Sequence, residues 1–259
     1  MDTFLLKLVL TPALIGGATL AGPRFGRGIG GWLVGMPLTS GPVAFFIALD
    51  HGTSFASSTA IGSLAGQAAQ SAFCLAYASR ATRGSWPASL ALGSVAFAAA
   101  TLALDVAPLP STSPFGVAAL LAAVCAVLAA TLRVLPRGHL APATREVRLP
   151  VWDLPARMAV ATALVVLITA AAPLLGARLS GLLTTYPVYA TTLAVFAHRA
   201  PGGVAALDVL RGLLLGLFAP SAFFFVLAVW LTTIGIAAFL PALTAALVVQ
   251  GLTLRAVPR

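Results

Sequence analysis

The chain has 259 residues, of which 60% are apolar and 8% charged, with a mean hydropathy of +1.03. So little polar surface cannot coat a soluble globule, and the sequence reads as an integral membrane protein whose main solvent is lipid. The formal charge of +9 comes from basic residues scattered between apolar runs, not gathered in a stripe with base-stacking aromatics, which excludes a nucleic-acid partner and leaves topology as their meaning.

Apolar runs of about 20 residues predict nine spans in chain order: 4–22, 28–49, 54–78, 86–105, 116–135, 156–175, 179–197, 204–228 and 232–254. The first has the look of a signal peptide, but its counterpart at 156–172 lies mid-chain, so it reads as a retained helix. That counterpart exists because the sequence repeats. With a shift of 150 residues, Ala13–Leu104 aligns without a gap on Ala163–Leu254, and 27 of 92 positions are identical. The identities include Pro23/Pro173, Gly26/Gly176, Pro37/Pro187, Gly52/Gly202, Gly62/Gly212, Gly66/Gly216 and the tripeptides Ser71-Ala72-Phe73 and Ser221-Ala222-Phe223.

The expected fold is all-α and polytopic: a four-helix repeat at 1–107, a linker helix and loop at 108–150, and a second repeat at 151–259. Arg24, Arg27, Arg80, Arg83, Arg133, Arg137, Arg145, Arg148, Arg157, Arg199, Arg255 and Arg259 fall at alternate ends of the spans; the other ends hold Lys7 and Arg178 with Asp2, Asp50 and Asp105. The positive-inside rule then places the N-terminus outside and the C-terminus in the cytoplasm. Five crossings separate the starts of the two copies, so they are expected to be inverted relative to each other.

Gly181 to Pro187, His198, Leu210-Arg211, Ser221-Ala222-Phe223 and the last span together resemble the GlpM-like family of small four-helix bacterial inner-membrane proteins, here duplicated and fused. The first copy departs from the pattern, with Ala48 for His198 and Ile61 for Arg211. The resemblance implies a bacterial inner-membrane location and a link to exopolysaccharide production, and it supplies no catalytic residue.

Two matched interruptions carry the functional expectation. The second span of the first copy contains Pro37, Thr39, Ser40, Gly41 and Pro42, and that of the second contains Tyr186, Pro187 and Tyr189. Neither run propagates regular helical hydrogen bonds, and Ser40 is placed to cap a half-helix beginning near Pro42. Paired breaks in an inverted repeat mark the usual location of a transporter's solute site, with a packed proline kink as the plain alternative. Thr59, Ser63, Gln67, Gln70 and Ser71 form a stripe on the third span, which reads equally as a pathway wall and as interhelical packing beside Gly62 and Gly66. Asp208 and Arg211, three residues apart, read as an ion pair or as a site for an anion. No carboxylate lies mid-span, the three histidines are dispersed, and Cys74 and Cys125 lie in apolar runs; no metal site, cofactor or enzymatic activity is expected.

The reading is a transporter or facilitator for a small polar or anionic solute, with Gln67, Tyr186 and the two breaks at its site. Alternatives are a channel or lipid-translocating protein, and a non-transporting accessory subunit of an envelope polysaccharide system. Membrane lipid and the solute are the expected partners, together with a second copy or an envelope protein.

Overall fold

The computed structural model describes residues 36–37, 40–108, 113–136, 153–199 and 202–254. All regular structure among them is helical. The helices are α1 (Ser40–His51), α2 (Thr53–Ala81), α3 (Trp86–Val106), α4 (Pro114–Val134), α5 (Asp153–Thr184), α6 (Val188–Arg199), α7 (Gly203–Gly216), α8 (Phe218–Ile234) and α9 (Phe239–Thr253), with a 3-10 turn at Gly235–Ala238 before α9. The first expected span, and the second up to its proline, lie outside the described residues.

Glycine and proline set most of the boundaries. Gly52 and Gly202, 150 residues apart, both take a positive φ with extended ψ immediately before α2 and α7, a conformation that an L side chain rarely adopts. The expected loop between spans 156–175 and 179–197 is instead a kink inside α5. Gly176 has φ 76° there, and the helix resumes to Thr184. The expected single span 204–228 is divided at Leu217, because Pro220 has no N–H to return to the carbonyl of Gly216. The last span is shortened, since Gly235 at φ 62° turns the chain before α9 begins.

The hub of the bundle is α2, which runs for about 43 Å and packs against α1, α3, α4, α5, α7 and α8. A Cβ on Gly203 would overlap the carbonyl of Ala81, and the Ser57 hydroxyl donates to the Ala228 carbonyl at 2.8 Å. These two contacts, 24 residues apart along α2 and 25 along α7–α8, make the two stretches antiparallel and level along their length. With α5 the approach is close at three glycines. Gly62 lies against the Arg178 carbonyl, Gly66 against the Thr185 side chain and Gly181 against the Thr59 carbonyl, so that no Cβ fits at any of the three. Small residues four apart on both helices thus bring their backbones into contact, as is common where lipid supplies no hydrophobic drive to association.

Four segments are long and apolar enough to cross a membrane: Trp86–Val106, Pro114–Val134, Val165–Thr184 and Gly203–Thr253. They are compatible with a multi-pass membrane protein. Though 29 residues long, α2 is not among them, because its polar stripe lowers its hydropathy; it is sheathed by protein, with Leu64, Phe73 and Tyr77 wholly buried.

Candidate functional site

The two interruptions are present where residues are described. At the first, the chain bends at Met36-Pro37 and α1 begins at Ser40, with the Gly41 N–H already donating to the Pro37 carbonyl at 2.9 Å. Ser40 therefore opens the helix itself and does not cap one starting near Pro42. Pro37, Ser40, Gly41 and Pro42 are buried, and Gly41 faces the ring of Phe223; Thr39 lies outside the described residues. At the second, α5 stops at Thr184, Thr185 to Pro187 turn the chain, and α6 starts at Val188. Pro187 is buried, and the side chain of Tyr189 lies outside the described residues.

Each break is packed by the phenylalanine of a repeated tripeptide. Phe223 sits beside Gly41, and Phe73 meets the ring of Tyr186 edge-on at 6.1 Å between centroids. Phe97 makes a second edge contact with Tyr186 at 5.2 Å, and the phenol exchanges a hydrogen bond with Ser94 of α3 at 2.9 Å. Aromatic edges and one hydrogen bond therefore fix this phenol, half-buried, at the break.

The stripe on α2 is an interhelical seam along much of its length. Ser63 lies 3.1 Å from both the Gly181 carbonyl and the Thr184 hydroxyl of α5, and Ser57 bonds α8. Thr59 and Ser71 return to carbonyls of their own helix, at Phe55 and Gln67. These bonds favour packing over a pathway wall for those four residues. Gln67 differs: its amide donates to the Ser63 carbonyl at 3.0 Å, while its Oε1 is buried with no hydrogen-bond partner. Thr184 and Thr185 belong to the interrupted run but were not singled out as site residues, although a Thr-Thr pair next to a Tyr-Pro break was the signal available.

Arg211 reaches across to α4. Its Nη1 donates to the carbonyls of Leu132 and Leu135, at 3.0 and 2.6 Å, and so closes the C-terminal turn of α4, where unsatisfied carbonyls and the negative end of the helix dipole favour a cation. Asp208 is half-buried on the same helix. Arg178 does the same for α3: its Nη2 donates to the carbonyls of Leu104 and Ala107, and its Nε lies 4.0 Å from an Asp105 carboxylate oxygen. His198 is a strap. Its Nε2 lies 3.2 Å from the Gly84 carbonyl and must carry the proton, leaving Nδ1 to accept from the hydroxyl of the buried Tyr77, also at 3.2 Å.

The structure thus brings Gln67, Ser63, Thr184, Thr185 and Tyr186 to one place where α2, α3 and the end of α5 meet, and it takes Arg211 to α4. Among the described residues no cluster of His, Cys, Asp or Glu could hold a metal ion. Comparison with protein-family models, curated proteins and solved structures finds no match, so the GlpM-like resemblance stands on its quoted residues alone.

Proposed function

We propose that the protein is a small-solute carrier of the bacterial inner membrane, built from inverted repeats and working by alternating access around the breaks at Pro37 and Pro187. The observation that carries this reading is the pairing of α2 with α7–α8. These stretches are equivalent under the 150-residue shift, yet they lie antiparallel and level, with Ala81 at Gly203 and Ser57 at Ala228. Two equivalent helices in this relation are expected of copies turned over about an axis in the membrane plane. The matched backbone of Gly52 and Gly202, and the matched packing of Phe223 and Phe73 against opposite breaks, support the same reading.

With Arg178 and Arg211 committed to helix ends, the described residues favour a neutral polar solute over an anion. The orientation follows from the arginine partition, with the C-terminus in the cytoplasm. The test is uptake into proteoliposomes across a panel of sugars, polyols and amino acids. A carrier gives saturable flux stimulated by solute on the opposite side, and Tyr186→Phe and Gln67→Leu lower it while the protein stays folded. Unitary conductance, lipid scrambling, or stable co-purification with envelope proteins and no flux would each replace this reading with one of its rivals.

A further inference from the structure

The place where α5 ends against the middle of α2 is rich in oxygen and short of free protons. Ser63, Gln67, Thr184 and Thr185 are each at most 5% exposed. Thr184 donates its hydroxyl proton to the Gly181 carbonyl at 2.7 Å, and Thr185 donates to the Leu182 carbonyl at 2.7 Å. The single proton of Ser63 goes to Gly181 or to Thr184, its two neighbours at 3.1 Å. Gln67 spends an amide N–H on the Ser63 carbonyl, and its Oε1 receives nothing. The hydroxyl protons of the cluster are therefore absorbed by oxygens within it or by the adjoining backbone, whereas lone pairs on the three hydroxyls and on Oε1 remain. A buried acceptor left in that condition is costly, so the cluster calls for a partner that brings positive charge.

Helix geometry points the same way. The last turn of α5 presents the negative end of its dipole here, its Leu182 and Leu183 carbonyls accepting from the N–H groups of Thr185 and Tyr186 at 3.2 Å. The cationic side chain of Arg178, on this half of α5, is turned to the end of α3 and to Asp105. All the donors named are neutral oxygens. A divalent ion is ordinarily held by carboxylates, whereas neutral hydroxyl, amide and carbonyl oxygens at an interrupted helix suit a single charge.

We infer that Ser63, Gln67, Thr184 and Thr185 form a binding site for a dehydrated alkali-metal cation. Its role as a coupling ion rests on the transport reading above; its binding does not. A coupling cation at this position also meets the need left by the want of a mid-span carboxylate.

The experiment is thermal melting of the purified full-length protein in detergent, titrated with NaCl, KCl or N-methyl-D-glucamine chloride at constant ionic strength. Binding to the folded state alone raises the melting temperature with concentration, so a saturable rise with Na+ or K+ over the organic cation is expected. Loss of a ligand in Gln67→Leu or Thr184→Val lowers the apparent affinity about tenfold or more, and Thr184→Ser, which keeps the hydroxyl, retains the response. Where Thr184→Val fails to fold, Gln67→Leu and Thr184→Ser carry the comparison. Equal stabilisation by all three salts, or an alkali response unchanged in Gln67→Leu, overturns the site. Ion-specific stabilisation without solute flux keeps the site and removes the transport reading; flux indifferent to both ions, with no stabilisation, does the reverse.

Discussion

Replacing Gly181 by alanine tests the close approach of α5 to α2. The added methyl would overlap the Thr59 carbonyl and sit 2.7 Å from the Ser63 nitrogen and 3.0 Å from the Gly62 carbonyl carbon. All three are backbone atoms of α2, so no side-chain rotation relieves the clash, and the helices must open by about 1 Å to restore ordinary contact. Overpacking of this kind costs roughly 1–3 kcal/mol, and obstruction by backbone places the cost near the top of that range. Opening by that amount also carries the two Ser63 contacts, now at 3.1 Å, beyond hydrogen-bonding range, at about 0.6 kcal/mol each. Against this stands a gain of about 0.8–1 kcal/mol from the better helix propensity of alanine, leaving a net loss of about 3 kcal/mol. Gly251 is the internal control, since a Cβ there meets nothing within 4 Å, and Gly251→Ala is neutral or slightly stabilising. Equilibrium unfolding in bicelles by steric trapping reads both. A Gly181→Ala protein within about 1 kcal/mol of wild type, on the same overpacking scale, would refute the described crossing of α2 and α5.

Two further outcomes follow from the helix ends. Arg211→Met leaves the Leu132 and Leu135 carbonyls without their charged donor and destabilises the protein by about 2 kcal/mol, measured by the same unfolding assay; solute flux per folded molecule is unchanged if the residue only closes α4. With Cys74 and Cys125 replaced by alanine, single cysteines at Thr53 and Thr82, at opposite ends of α2, label from opposite faces of the membrane with an impermeant maleimide, Thr53 from outside. Labelling of both from one face would remove α2 from the spans.

How far the sequence foretold this arrangement depended on whether the cause was local. Pro187 acts on its own backbone, so the interruption there was legible, and so was the third expected span, which begins and ends within three residues of α2. The role of Arg211 was not. Its spacing from Asp208 drew attention to a residue three away, whereas the Leu132 and Leu135 carbonyls it also reaches lie 79 and 76 residues distant on α4. The stripe on α2 was visible as a periodicity, yet whether it faced a pathway or a helix depended on Gly181 and Thr184, which no local pattern linked to it. The kink at Gly176 was read as a loop because a glycine followed two residues on by an arginine looks alike in either setting. The break at Leu217 had its cause in Pro220, three residues on, and was masked by the apolar run around it.

The burial of α2 among later elements sets an order on biogenesis. Ser63 finds its acceptor 118 residues downstream, and Ser57 finds its own 171 residues downstream. At about 5–20 residues per second of synthesis, roughly 6–24 s pass between emergence of Ser63 and of its partner, and longer for Ser57. Throughout that interval the most polar of the long helices is present without the neighbours that satisfy it. A chain truncated before Gly181 therefore lacks the acceptors on α5 and α8 that Ser63 and Ser57 use in the complete bundle.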